Sequence, residues 1–391
     1  MSILDNDLYK FSTSYAYMKL FPEAEGAFTF RDRRNTWCSE EMFKNIEYQL
    51  ELMDGLSLTD EEIEWLMKDE TIPYIPKYYW EWLSSFHFDS SKVEMYVANG
   101  ELHINVTDKM YKVTLYEVPI LAIVGQARNE EYHWDSANIR DIIIRLAEKV
   151  RYATENELYF SEFGTRRRYS AEAHDAIVKY LSINAPTCTG TSNVHLARKY
   201  GIKPQGTFPH EWVMFHGATG GYKQANQRSL EDWQRVYRGN LGTGLIDTYT
   251  TDVFLRELTM ETAKVLDGLR QDSGDEIEVG EKIIKRYQQH GINPQTKTVI
   301  FSNALDFPKY KEIRDYFNNR IIVRAGIGGN LSNDPVGIDN YERPNMVMKL
   351  SRCRMTPRED WQYTVKLSDD LGKAMGRSED ITAAKFELGI K

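Results

Sequence analysis

Six polar clusters hold most of the residues in this chain whose types and spacing could do chemistry. They are Glu162-Phe163-Gly164-Thr165-Arg166, Thr189-Gly190-Thr191-Ser192-Asn193, Gly206-Thr207-Phe208-Pro209-His210-Glu211, Arg270-Gln271-Asp272-Ser273-Gly274-Asp275, Phe301-Ser302-Asn303-Ala304-Leu305-Asp306 and Ala325-Gly326-Ile327-Gly328-Gly329-Asn330. Each follows a short apolar run and precedes a helical stretch. Glycines let backbone N–H groups approach an anion closely. Arginines grip a phosphate or carboxylate as a fork. Paired carboxylates hold sugar hydroxyls or a Mg2+–diphosphate. The combination, with one histidine, points to chemistry on a phosphorylated sugar.

Each cluster also has a plainer reading. The glycines at 326, 328 and 329 suit a tight turn, and they lack the spacing of a dinucleotide fingerprint or P-loop. Ser273 or Asp275 suits a helix N-cap. His210 and His216 are six apart, which does not put them on one helix face, so a zinc-protease site is excluded. A neutral His210 can instead serve as nucleophile or base. Arg166, Arg167 and Arg168 run consecutively; one of them could neutralise a phosphate while Phe163 stacks on a planar ring. Which of the three does so stays open. Asp5, Asp7 and Tyr9 by themselves read as an ordinary helix start.

The elements that position these clusters follow from periodicity. Helical stretches at 136–153, 170–181, 194–200, 229–238, 252–266, 278–290 and 308–318 alternate with apolar runs at 158–163, 186–190, 203–207, 243–247, 267–271, 298–302 and 321–325. An eighth run, Met346 to Leu350, follows Pro344. Regular β–α alternation favours a parallel sheet or barrel, and a barrel's strand C-termini share one rim. The uneven spacing makes it irregular. The first third differs. Residues 1–20 and 40–68 read as helical, with a helix start at Leu58–Glu62. Val93–Val97 and Leu102–Val106 flank Asn99-Gly100, a strong hairpin signal, and Met110–Val118 continues as a third strand. The fold class is therefore α/β: an irregular (β/α) barrel at 131–355 behind an N-terminal α+β domain at 1–130 that contains an antiparallel sheet. A C-terminal segment, 356–391, is expected to pack on the N-terminal domain.

The 391 residues carry a net charge of -9, which argues against a general nucleic-acid binder. The three cysteines, Cys38, Cys188 and Cys353, form no C-x-x-C and fit a reducing cytoplasm. No signal peptide and no membrane-spanning run is visible.

Taken in order, these segments resemble nicotinate phosphoribosyltransferases. Besides the six clusters, Asp7-Leu8-Tyr9-Lys10, Ala16-Tyr17 and Leu115-Tyr116-Glu117-Val118-Pro119-Ile120-Leu121 carry the resemblance, which runs nearly the whole chain. It implies transfer of the phosphoribosyl group of phosphoribosyl diphosphate to nicotinate, giving nicotinate mononucleotide for NAD salvage. It implies ATP hydrolysis coupled through a phosphohistidine at His210, with Mg2+ held mainly by phosphates. It implies a homodimer in which Tyr9 of the neighbouring subunit and Phe163 sandwich the pyridine ring. Thr207 and Arg270 would contact nicotinate, and Arg166 its carboxylate or the nucleotide phosphate. Asp272 would hold ribose hydroxyls, Asp306 would join the substrate site, and the turn of Gly326, Gly328 and Gly329 would take the 5-phosphate.

Four residues depart from the family's usual strings: Gln271, Asn303, Ala304 and Gly329, the last of which removes a hydroxyl. Rival readings are a nicotinamide- or quinolinate-specific relative, a barrel lyase or isomerase, and a non-catalytic nucleotide sensor. Nicotinamide should favour an Asp partner, and Thr191 and Ser192 supply no carboxylate. A lyase would need a strand-end lysine, and the six clusters contain none.

Overall fold

Two sheets organise the chain in the computed structural model, which describes residues 2–68, 70–370 and 372–390. Strands β1 (Glu25–Asp32), β2 (Val93–Ala98) and β3 (Glu101–Lys109) open an antiparallel sheet. Strands β4 (Phe160–Glu162), β5 (Cys188–Thr191), β6 (Thr243–Leu245), β7 (Gly268–Gln271), β8 (Thr298–Phe301) and β9 (Ile322–Ile327) form a parallel one. Strands β10 (Met346–Arg354) and β11 (Gln362–Tyr363) return to the first sheet. The antiparallel order is β11-β10-β1-β3-β2, and the parallel order is β5-β4-β9-β8-β7-β6.

Local chemistry explains several boundaries. Asn99 and Gly100 take φ of 52° and 79°, as a type I′ turn demands between β2 and β3. Thr59 and Glu62 cap Asp60–Leu66 reciprocally: the Thr59 hydroxyl accepts from the Glu62 N–H at 3.2 Å, and the Glu62 carboxylate accepts from the Thr59 N–H at 3.0 Å. Apolar positions at i, i+4 and i+8 (Ile142, Leu146, Val150) bury one face of Ile139–Glu155.

Two expected strands are corrected. Met110–Val118 is not a third strand. It forms the helix Met110–Val113, a 3-10 turn over Thr114–Tyr116 and the start of the helix Glu117–Glu131. Met110, Val113, Leu115, Tyr116 and Val118 are all buried, so the run has no polar face from which to read a period. The missing neighbour of β3 is β1, with Phe28 opposite Val106. Met346–Leu350 is not a barrel strand either. It lies in β10, antiparallel to β1, with Phe28 opposite Leu350 and Phe30 opposite Met348. No helix leads into β10 from β9 beyond the single turn Gly329–Ser332, so the chain lacks the crossover that would set β10 parallel. The expected unit 131–355 would include β10, which instead pairs within the antiparallel sheet.

The parallel sheet is an irregular ring. The run 203–207 contributes only one parallel bridge, Thr191 to Pro204, because Pro204 has no N–H for a ladder. Beyond it, the Thr207 hydroxyl accepts from Arg270 at 2.9 Å and His210 Nδ1 meets the Thr248 hydroxyl at 2.9 Å. Segment 204–210 therefore spans the gap between β5 and the β6–β7 end. The expected helix at 252–266 breaks into Thr251–Glu257 and Met260–Val265, the second capped by Thr259.

Two further segments meet at the mouth of this ring. The helix Leu8–Leu20 is mostly buried. The Leu8 N–H donates to Ser192 O at 2.8 Å, and the Asn6 amide donates to Leu115 O at 2.8 Å. The C-terminal segment departs from its expected packing, since only β11 joins the antiparallel sheet. Residues 366–370 cross the mouth, with the Leu367 N–H on Thr248 O and the Asp370 carboxylate on the Gly274 N–H. The helix Ser378–Leu388 ends on Arg256, which donates to Leu388 O at 2.9 Å.

Ala304 holds φ of 51°, in the left-handed region, at an exposed turn after β8. An alanine there carries a Cβ penalty that glycine escapes. Ala304→Gly should therefore raise stability by about 0.5–1 kcal/mol. The check is a higher urea midpoint at unchanged slope.

Candidate active site

A cavity of about 390 Å3 opens at the C-terminal ends of the parallel strands, beneath β10 and the C-terminal segment. Tyr9, Phe163, Arg166, Thr207, His210, Arg270, Asp272, Gly326, Gly328 and Gly329 all line it. Ten of the eleven residues expected at the site are thus brought together. Asp306 is the correction: it is exposed and caps the helix Phe307–Tyr316, accepting from the Lys309 N–H at 2.8 Å. Its place at a helix start, one turn past the end of β8, turns it away from the cavity.

Arg270 organises one wall. It leaves the end of β7 and donates to Ser302 Oγ (2.9 Å), Thr207 Oγ1 (2.9 Å) and Asp272 Oδ1 (3.3 Å). Its guanidinium lies 5.9 Å from the Phe163 ring centre. Phe163 in turn lies against Gly326, where an added Cβ would sit 2.4 Å from the ring. A glycine is required at 326 to let the aromatic face stand at the rim. At Gly329 the space is open, so the family's missing hydroxyl is not excluded by sterics.

Tyr9 belongs to the same chain as the cavity it lines. The helix Leu8–Leu20 brings it in, and Gly206 permits the approach, since a Cβ there would meet Tyr9 N at 3.1 Å. A single chain places its own Tyr9 and Phe163 in one cavity, without the Tyr9 of the neighbouring subunit that the resemblance implied. Sequence distance gave no hint, because the burial of the helix Leu8–Leu20 against Ser192 is a tertiary contact.

His210 is buried and begins the helix His210–Gly220. Its Nδ1 is 2.9 Å from Thr248 Oγ1. Its Nε2 is 2.9 Å from Lys366 Nζ, 3.3 Å from Asp272 Oδ2 and 3.9 Å from Asp247 Oδ1. Burial pushes its pKa down to about 4, with the Lys366 ammonium adding and Asp247 and Asp272 opposing. Asp272 is held well below the usual carboxylate range; burial works against this, and Arg270, His210 and Lys366 outweigh it. His210, Asp247 and Asp272 place ligand atoms within 4.8 Å of one another. The Lys366 ammonium, 3.8 Å from Asp247 Oδ2, already supplies the cation among them, so this trio does not fit a resident metal.

The three consecutive arginines separate. Arg168 forks onto Asp5 at 2.6 and 2.8 Å and turns away. Arg166 and Arg167 face the cavity. Arg166 is 3.6 Å from Glu117. Arg167 donates to Met346 O, and burial beside Arg166 and Arg33 lowers its pKa to about 10. Below them, Lys10 is fully buried between Glu117 and Glu211. Burial opposes its charge, yet the two carboxylates hold its pKa above the ordinary lysine range. With one ammonium shared by two acids, burial pushes Glu211 up while Lys10, Lys349 and Arg166 hold Glu117 down.

Four cations of the cavity escaped the sequence reading: Arg33, Lys349, Lys366 and Lys373. Arg33 lies just past β1, Lys349 in β10, and the other two in the C-terminal segment. The only signal was local: Lys366-Leu367-Ser368-Asp369-Asp370 is a polar cluster of the same composition as the strand ends. Burial lowers the Lys349 pKa to about 7, with Glu117 opposing and Arg166 adding.

Residues 158–388 match the nicotinate phosphoribosyltransferase (NAPRTase) family, and residues 4–125 match the N-terminal domain of that family. The chain belongs to this family. A nicotinate phosphoribosyltransferase of Desulforapulum autotrophicum is 39% identical over 387 residues, covering 97% of this chain and 96% of its own. The crystal structure of the nicotinate phosphoribosyltransferase from Porphyromonas gingivalis superposes with a TM-score of 0.96 at 43% identity, covering all of both chains. That from Vibrio cholerae gives 0.92 at 30% identity, covering 100% of this chain and 94% of its own. The family's pairing of an N-terminal domain with the larger unit agrees with the two sheets described above.

Proposed function

We propose that the protein joins nicotinate to phosphoribosyl diphosphate, releasing nicotinate mononucleotide and diphosphate, as a step of NAD salvage. One observation carries this reading beyond family membership. Six cations (Arg33, Arg166, Arg167, Arg270, Lys366, Lys373) and Lys349, whose pKa burial lowers to about 7, face the cavity against four acidic groups (Asp7, Glu117, Glu211, Asp272). A chain of net charge -9 has concentrated positive charge at one place, as a polyanionic sugar diphosphate requires.

The chain's own residues divide the work. Phe163 and Tyr9 offer aromatic surface to the pyridine ring. Thr207 and Arg270 orient nicotinate, and Arg166 meets its carboxylate or the nucleotide phosphate. Asp272 holds ribose hydroxyls, and backbone N–H groups of 326–330 take the 5-phosphate. As the bond to diphosphate breaks, charge grows on the leaving group, and the surrounding cations stabilise it without covalent attack on the sugar. Mg2+ arrives with the phosphate chains of the substrates. ATP is a co-substrate that phosphorylates His210, adding close to two negative charges at the mouth. The three cysteines are all free, which fits work in a reducing cytoplasm. A homodimer remains compatible, with one site per chain.

Asp7 favours a second reading. It lines the cavity, accepts from Ser192 Oγ at 2.6 Å, and offers the carboxylate a nicotinamide site would use. Burial pushes its pKa up, toward the neutral acid. Steady-state assays with nicotinate, nicotinamide and quinolinate, with and without Mg-ATP, separate the readings. Nicotinate should lead nicotinamide in kcat/KM by roughly one to two decades, the value of a charge-assisted hydrogen bond. Faster turnover of nicotinamide would overturn the proposal.

A further inference from the structure

His210 Nε2 faces two incompatible partners. If Nε2 carries a proton, it donates to Asp272 Oδ2 at 3.3 Å, as the neutral Nε2–H tautomer or as an imidazolium, and that N–H then faces the Lys366 ammonium at 2.9 Å. If Nε2 is bare, it accepts from the Lys366 ammonium at 2.9 Å. The shorter contact selects the second state. Thr248 agrees with it: with Nε2 bare, Nδ1 carries the proton, and the Thr248 hydroxyl oxygen at 2.9 Å accepts it.

We infer that Lys366 is a positioning residue that keeps Nε2 of His210 unprotonated and then holds the phosphoryl group placed on it. The inference rests on the phosphohistidine reading above. The step balances without an outside base. The Nε2 lone pair forms a bond to the γ-phosphorus of ATP, the bond from phosphorus to the bridging oxygen breaks, and ADP departs with that electron pair. Nδ1–H stays on Thr248. A protonated Nε2 has no lone pair to give. Once the phosphoryl is on Nε2, its oxygens lie near two aspartates, and Lys366 is the charge at hand to neutralise them.

The groups facing His210 come from three directions. Asp247 follows β6, and Asp272 follows β7 with part of its charge met by Arg270. Lys366 and Lys373 arrive with the C-terminal segment, where Lys373 pairs with Asp370. Glu211, the next residue, is turned to Lys10 and Thr114. Removing the Lys366 charge leaves Asp247 and Asp272 to draw a proton onto Nε2. The sign is then fixed. In the native protein the ring stays neutral until pH falls through about 4. In Lys366→Met its protonation should move up from there, since Asp247 and Asp272 then oppose burial alone.

The test follows phosphate incorporation from γ-labelled ATP against pH, with 15N spectra of the imidazoles; His210→Asn assigns the His210 ring. Native protein should incorporate label at a rate that changes less than about twofold between pH 8 and 6, with a neutral ring protonated at Nδ1. Lys366→Met should take label about tenfold more slowly at pH 6, with Nε2 carrying a proton in the 15N spectrum. Lys366→Arg should restore the flat profile. Labelling at the native rate with Nε2 still bare in folded Lys366→Met, or a charged ring at pH 6 in native protein, overturns the inference. If native protein takes no label on His210 while the rings titrate as stated, the phosphohistidine reading falls and the hold of Lys366 on the ring stands.

Discussion

Replacing His210 with asparagine should abolish ATP hydrolysis and leave no acid-labile phosphate on the protein. The expected loss is close to total because no neighbouring group can substitute. The other histidine of the same helix, His216, is occupied: its Nδ1 meets Trp212 O at 2.7 Å and its Nε2 meets Asp232 at 3.1 Å. Asparagine retains a polar group for Thr248, so the fold should hold. A slow transfer of the phosphoribosyl group without ATP can persist, since the mutation leaves in place Arg270, Thr207 and Asp272, to which the proposed function assigns the substrates. The measurement is incubation with labelled Mg-ATP followed by mass mapping. Label on another residue, or ATPase activity intact in the mutant, would refute the assignment.

The parallel elements of the site were legible in the sequence, and the reason is local. β7 and β9 each end in a cluster whose turn chemistry and apolar run agree, so strand, turn and helix start are all visible within ten residues. Arg270, Asp272, Gly326, Gly328 and Gly329 of those clusters line the cavity, whereas Asp275 after β7 and Asp306 after β8 serve as helix caps. What stayed hidden depends on contacts across the chain. β1 and β10 meet through pairs such as Phe28 and Leu350, more than three hundred residues apart. Lys366 meets His210 only because the C-terminal segment crosses the ring, and no periodicity announces a segment that is neither helix nor strand. Met110–Val118 failed for the opposite reason. Its burial on every side erased the polar face that distinguishes a helix from a strand. Tyr9 was legible as a site residue through the family, but its own chain as the recipient was not.

Asp272→Ala should lower kcat/KM by about one to two decades or more while the protein stays folded, as expected when a charged acceptor of ribose hydroxyls is lost. The carboxylate already accepts from Ser302 at 3.0 Å and Arg270 at 3.3 Å. Its removal therefore also frees the Arg270 guanidinium, and Asp272→Asn is the variant that separates lost charge from lost packing. Wild-type kinetics in a folded Asp272→Ala protein would exclude the role. The same variant decides which chain supplies Tyr9. If Tyr9 crossed an interface, mixing Tyr9→Ala with Asp272→Ala would build one intact site in each hetero-pair. Activity would then recover toward about a quarter of wild-type sites, given two-fold symmetry and random exchange. With Tyr9 in the cavity of its own chain, each site of the hetero-pair keeps one defect, whatever the assembly. The expected result is activity at the level of the separate mutants, under conditions where tag co-purification shows that subunits exchange. Recovery toward a quarter would return Tyr9 to the neighbouring subunit and leave the single-chain cavity incomplete.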